Sequence, residues 1–149
     1  MPRKILVPVD LVHDASWKIA LPSAFRLAAA PDDEVVLMTV VPEVPAGLDY
    51  RYAIRGETGG SEKLDIEGYL EAAKGRLEQI AREYAPPDRA VEVVARYGTV
   101  YEEILNIAEE LSVDQIVMAA QRPTLSEYLL GPNTARVVRH AKCSVQVVR

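Results

Sequence analysis

The sequence holds one cysteine, Cys143, and two histidines, His13 and His140, among 149 residues. A lone thiol forms no intramolecular disulfide, and one Cys with two scattered His falls short of the ligand set of a zinc site. Such cysteine poverty suits a reducing compartment, so the expected location is the cytoplasm. Long apolar runs are missing as well. The stretch Val35 to Val41, with Thr39 inside it, is far below the roughly 20 residues that span a bilayer, so no membrane association is expected. The apolar start Ile5-Leu6-Val7-Pro8-Val9 is cut off by Asp10 with no small-residue cleavage site behind it, and reads as a buried strand rather than a signal peptide. Nor is there a basic excess: 17 Lys and Arg stand against 22 Asp and Glu, a formal net charge of −5, which argues against nucleic acid as a partner. The glycines never form G-x-G-x-x-G or G-x-x-x-x-G-K-S/T, and H-E-x-x-H, G-x-S-x-G and C-x-x-C do not occur. Catalysis by any of these known sites is unsupported.

What is present is ordinary globular usage, 49% apolar and 26% charged, in a chain of single-domain length, so residues 1–149 are read as one domain. Short β-branched runs alternate with longer amphipathic stretches. Strands are predicted at Lys4 to Val9, Glu34 to Val41, Val91 to Tyr97, Gln115 to Ala120 and Ser144 to Val148. Asp14 is placed to cap a helix reaching about Ala30, in which Pro22 should produce a kink. Thr99-x-x-Glu102 reads as a capping box opening a helix to Leu111. From Ser61 to Tyr84, Ile66, Leu70, Ala73, Leu77, Ile80 and Tyr84 recur three or four apart, and Pro86-Pro87 stops the pattern. A fourth helix is expected near Asn133 to His140. This alternation implies an α/β fold: one doubly wound, Rossmann-like domain with a five-stranded parallel sheet and helices on both faces. Polar residues interrupt Val91-Glu92-Val93 and Val145-Gln146-Val147, which makes strands three and five the edges and the order 3-2-1-4-5. A ligand would then lie beyond the carboxyl ends of strands one and four, at Pro8 to Asp10 and Met118 to Asn133. The glycine- and proline-punctuated stretch from Pro42 to Gly60 is too long for a simple connection and is either functional or disordered.

Few single residues carry chemistry. Asp10, at the end of strand one, has two readings: a carboxylate pointing into the ligand crevice, or a cap on the following turn. His13, beside Asp14 and near the same strand end, is read as a solvated loop histidine rather than an acid–base group, and His140 as a counter-charge to the end of the last helix. Lys142 next to Cys143 would lower the thiol pKa, against which stands a packed, inert thiol. Trp17 reads as core or interface.

Lys4-Ile-Leu-Val-Pro-Val-Asp10, Gly98-Thr99-Val100-Tyr101-Glu102-Glu103-Ile104-Leu105 with Ala108, Asp114-Gln-Ile-Val-Met118, Leu129-Leu130-Gly131 and Val138-Arg139-His140-Ala141-Lys142-Cys143-Ser144-Val145 follow one another in an order that resembles the universal stress protein family over the whole chain. The resemblance implies the fold derived above. It also implies a homodimer formed by the last strand, with Val145, Val147 and Val148 at the interface. Members of that family that bind ATP carry G-x2-G-x9-G-S/T after the fourth strand. Here Ala119 stands at the first glycine, Arg122 at or near the second, and Gly131 at the third, followed by Pro132 in place of the hydroxyl residue. Only 11 residues lie between Ala119 and Gly131, one fewer than the motif has. Pro8, Val9 and Asp10, one of Val40 or Val41, and Met118 match the adenosine side of the family's site. The phosphate side is left to Arg122 and the amides of Asn133 and Thr134 at the helix start. The expected function is a non-enzymatic, homodimeric, cytoplasmic stress-response or regulatory module, with a further protein partner and no resident cofactor or tightly held ATP. The alternative is an adenine-nucleotide sensor binding ATP or AMP, and a remoter one a weak nucleotide hydrolase in which Asp10 or His13 orients water.

Overall fold

The computed structural model describes residues 2–42, 66–120 and 132–149. Among them five strands, β1 (Lys4–Pro8), β2 (Glu34–Pro42), β3 (Val91–Gly98), β4 (Gln115–Ala119) and β5 (Ser144–Val148), alternate with four helices, α1 (Ala15–Leu27), α2 (Ile66–Tyr84), α3 (Val100–Glu110) and α4 (Pro132–His140). The strands form one parallel sheet in the order β3-β2-β1-β4-β5, as expected from the burial pattern of the sequence. Successive residues of a strand face opposite sides, and here both sides are covered. Ile5, Val7, Val35, Leu37, Val117 and Ala119 pack on Trp17, Ala20, Leu21 and Ala24 of α1 and on Leu77 and Ile80 of α2. Leu6, Val36, Met38, Ile116 and Met118 pack on Ile104 and Ile107 of α3 and Val137 of α4. Beyond their first residues the central strands are therefore buried and almost wholly apolar, Thr39 being the exception, whereas β3 and β5 are half-buried along most of their length.

Two expected helix caps are replaced by other bonds. Asp14 precedes α1, but its backbone is already helical and its carboxylate makes no cap bond. Lys18, one turn on, holds that carboxylate at 2.6 Å and keeps its pKa below the ordinary value. Thr99 has the extended backbone of an N-cap, yet its hydroxyl makes no cap bond. The first turn is closed through its carbonyl, which accepts the N–H of Glu103 at 2.9 Å, while Glu102 accepts the Tyr101 hydroxyl instead of completing a capping box. α1 continues through the exposed Pro22 and ends at Leu27, short of Ala30. The start of the helix expected from Ser61 and the loop after Pro42 lie outside the described residues.

Positive backbone angles mark both ends of α3. Gly98, before it, has φ +150°, and a Cβ there would meet Glu103 Cγ at 3.0 Å. Ser112, after it, has φ 52°. Around Ser112 the N–H of Val113 donates to Ala108 O at 2.9 Å and that of Ser112 to Glu109 O at 3.2 Å, a helix-end geometry that favours glycine. Ser112→Gly is expected to raise stability by about 0.5–1 kcal/mol, because relief of the left-handed strain exceeds the added chain entropy. A thermal melt checks it, and a lower melting temperature would contradict it.

No helix among the described residues is long and apolar enough to cross a membrane.

Candidate functional site at the carboxyl rim of the sheet

All five strands end on one rim, and the order of connections reverses between β1 and β4. At that point Val9 leaves β1 firmly held. Its N–H donates to Met38 O at 2.8 Å, and its carbonyl accepts the buried hydroxyl of Thr39 at 2.8 Å. Asp10 follows, half-buried, and turns the chain away from the sheet. Its N–H donates to Ser16 Oγ at 2.9 Å, and its Oδ1 accepts the N–H of Val12 at 2.9 Å. The Ser16 hydroxyl has one proton to direct at His13 O, 2.8 Å away, or Asp10 O, 3.1 Å away. Asp10 thus caps the turn with one oxygen, while its Oδ2 has no partner among the described residues. The Oδ1 bond is that of the turn-capping reading of this residue.

Across the crevice, extending the β1–β4 register by two residues sets Met118 beside Pro8. Pro8, Val9, Met118 and Ala119 are all buried. Val40 shares the core of Met118, whereas Val41 lies on the other face of the sheet with Leu11 and Ala73. α4 begins at Pro132, a position at which the missing N–H of proline costs nothing. Asn133 is half-buried, and Thr134 is fully buried with no hydrogen bond to its Oγ1 among the described residues. Val137, one turn on, belongs to the same core cluster as Met118, so α4 packs on the face of the sheet that Met118 occupies. Arg122 and Gly131 lie outside the described residues. The ends of β1 and β4 are thus buried and apolar, and beside them Asp10 keeps one carboxylate oxygen unengaged among the described residues.

Ser16 and Thr39 were not singled out by sequence reasoning, although they hold the Val9–Asp10 corner. Thr39 did leave a signal: a hydroxyl inside a strand buried on both sides needs a partner. His13 is exposed and adjoins no other group able to complete a metal site, since no cluster of three ligating side chains exists among the described residues. Trp17 is 4% exposed, with the Arg76 guanidinium 5.5 Å above its ring, which makes it a core residue. Cys143 is half-buried, and burial pushes its thiol pKa up, so neighbouring Lys142 does not activate it. His140 is the last residue of α4.

The model of the universal stress protein family matches residues 1–149. The chain belongs to the universal stress protein family. Universal stress protein G of Escherichia coli O157:H7 is 30% identical to it over the full length of both chains. Universal stress protein MJ0577 of Methanocaldococcus jannaschii is 31% identical, over 100% of this chain and 96% of that one. The solved structure of MJ0577 superposes with a TM-score of 0.70, covering 99% of this chain and 96% of the other. Two more distant universal stress protein structures share the fold. One, in complex with cAMP, has a TM-score of 0.64 at 21% identity, covering 99% and 97% of the two chains. The other, from Arabidopsis thaliana with AMP bound, has a TM-score of 0.61 at 17% identity, covering 99% and 91%.

Proposed function

We propose that this universal stress protein is a non-enzymatic, cytoplasmic stress-response module, homodimeric through β5, whose carboxyl-rim crevice accepts an adenine nucleotide with a short phosphate chain and holds ATP poorly. The observation that carries this reading is the contrast between the two sides of the crevice. Pro8, Val9, Met118 and Ala119 make the carboxyl ends of β1 and β4 apolar and buried, with Val40 half-buried on β2 and the half-buried carboxylate of Asp10 after β1, a rim suited to a nucleoside. On the phosphate side, Pro132 stands where ATP-binding relatives of the resemblance carry a hydroxyl, so one side-chain donor and one backbone donor are lost. A triphosphate left with too few donors is poorly held. A single phosphate is met by the amides at the start of α4 and by the Thr134 hydroxyl. The cAMP and AMP complexes of the two distant structures support the choice of a monophosphate.

Thermal unfolding with AMP and with ATP tests this. At AMP concentrations about a hundred times Kd, mass action adds about 2.7 kcal/mol of stability, which raises Tm by about 5–10 °C in a chain of this size. ATP is expected to give a smaller shift, with no phosphate release above blank. A larger ATP shift, or none with either nucleotide, overturns the reading. Thr134→Val is expected to stabilise the empty protein by about 1 kcal/mol, because it removes a buried hydroxyl without a partner, and to diminish the AMP shift. A variant that keeps the full shift would exclude the hydroxyl from the site.

A further inference from the structure

A concavity lies at the opposite end of the sheet from the carboxyl rim. Helices in this fold run antiparallel to the strands, so α3 and α4 end where β4 and β5 begin, far from the carboxyl rim. There a cavity of about 170 Å³ is bounded by Leu105, Ala108 and Glu109 of α3, by Val113, and by His140, Ala141, Lys142 and Cys143 at the end of α4. Its floor is apolar and its rim is charged. The charges around it are unevenly satisfied. On α3, Glu103 pairs with Asn106, Glu109 with Lys142 at 3.5 Å and Glu110 with Arg96 at 3.0 Å. On α4, Arg136 and Arg139 have no carboxylate partner among the described residues; Arg136 lies 5.1 Å over the ring of Tyr101. From Pro132 to Arg149 the sequence carries Arg136, Arg139, Lys142 and Arg149 and no Asp or Glu, in a chain whose net charge is −5. Part of this excess offsets the α4 dipole, but that effect involves only the last turn and is small at an exposed site. Val138, 45% exposed, adds an apolar patch to the same helix.

We infer that the notch between the ends of α3 and α4 docks an acidic, amphipathic segment of a partner protein, one apolar side chain entering over Ala108 and Cys143 while its carboxylates meet Lys142 and Arg139. The cavity has about the volume of a single aliphatic side chain with its backbone, which fits an anchor residue of a helix laid in a groove. The Lys142–Glu109 pair is highly exposed on both sides, so exchanging Glu109 for a partner carboxylate costs little. A nucleic acid fits less well. It offers no aliphatic anchor, and the basic helix, only about 13 Å long, has Glu109 of α3 at the notch and Asp114 near Cys143, which repel a longer polyanion.

Cys143 is the only thiol of the chain and lines the notch, so its alkylation rate reads occupancy directly. The probe is a synthetic helical Glu/Leu peptide of about 14 residues, with the matching Lys/Leu peptide as control. The expected result with the full chain is binding in the range of about 10–100 µM at low salt, weakening as salt is added. Saturating Glu/Leu peptide should slow iodoacetamide modification of Cys143 severalfold. Arg139→Glu with Lys142→Glu should weaken binding by about tenfold or more, and Glu109→Lys should strengthen it. These side chains are exposed, and far-UV circular dichroism establishes that the variants are folded. Equal binding of the Lys/Leu peptide, or binding without protection of Cys143, overturns the inference. So does stronger protection by a duplex oligonucleotide, which would assign the surface to nucleic acid instead.

Discussion

Leu6→Ala is expected to destabilise the protein by about 3–4 kcal/mol, within the range of about 2–5 kcal/mol for emptying a fully buried leucine site. Leu6 is 0% exposed and lies on β1, between β2 and β4 in the middle of the sheet. Its side chain meets residues from β2, β4, α3 and α4 in one cluster, so no single neighbour is able to move in and fill the gap. Domains of this kind have about 5–15 kcal/mol in total, which makes the loss a large share of the whole. In urea the midpoint should fall with little change in slope, because the surface exposed on unfolding is nearly the same. Val138→Ala, on the exposed side of α4, is the comparison and should stay within about 0.5 kcal/mol of the parent. A loss under about 1 kcal/mol for Leu6→Ala would mean that the site collapses around the smaller side chain, contrary to close packing of a central strand.

Conversion of the proposed dimer to monomers is the other large effect. The carbonyl of Val148 accepts the N–H of Ala120, so Val148 directs its main chain toward β4. Main-chain groups alternate sides along a strand, and those of Val145 and Val147 therefore point away from the sheet, into the open edge. Pairing β5 with a second β5 uses these groups. Val147→Pro removes one outward donor without touching the bonds to β4, and Val147→Lys places a charge among the half-buried valines of the edge. Both variants should have half the mass of the parent in light scattering at the same concentration. Dimers that persist in Val147→Pro would place the interface elsewhere on the molecule.

The architecture was legible because each inner strand is apolar at successive positions, a pattern that only two-sided burial produces, and because Glu92 and Gln146 mark the edges. Much of the crevice was legible for the same reason. Once the order of strands is known, the rim at Pro8 to Asp10 and Met118 to Ala119 follows from topology. Hydrogen bonds across distant segments were not legible. That Ser16 fastens Asp10, or Thr39 the carbonyl of Val9, depends on where the loop after β1 settles, and nothing in the spacing states it. The caps at Asp14 and Thr99 failed as sequence rules because competing partners stand one turn or one residue away: Lys18 claims the Asp14 carboxylate, and Tyr101 claims Glu102. The left-handed backbone at Ser112 carries no glycine to announce it. The notch beside Cys143 arises only when the ends of two helices, far apart in sequence from each other, come together.

The strand order also sets a timetable for synthesis. β1 is the first of these five strands to be made, yet it occupies the centre, with β2 on one side and β4 on the other. A nascent chain that has reached Gly98 holds β1, β2 and β3 and is able to pair them in that order, but β1 then has an open apolar edge. That edge closes only when β4 emerges, and Leu6, Val36 and Met38 have no cover until α3 arrives. At about 5–20 residues per second, the half-built sheet lasts on the order of a second, with its most adhesive strand facing outward. Any pause in translation between β3 and β4 therefore exposes the centre of the finished protein, and codon choice in that stretch bears on how much of it reaches the folded state.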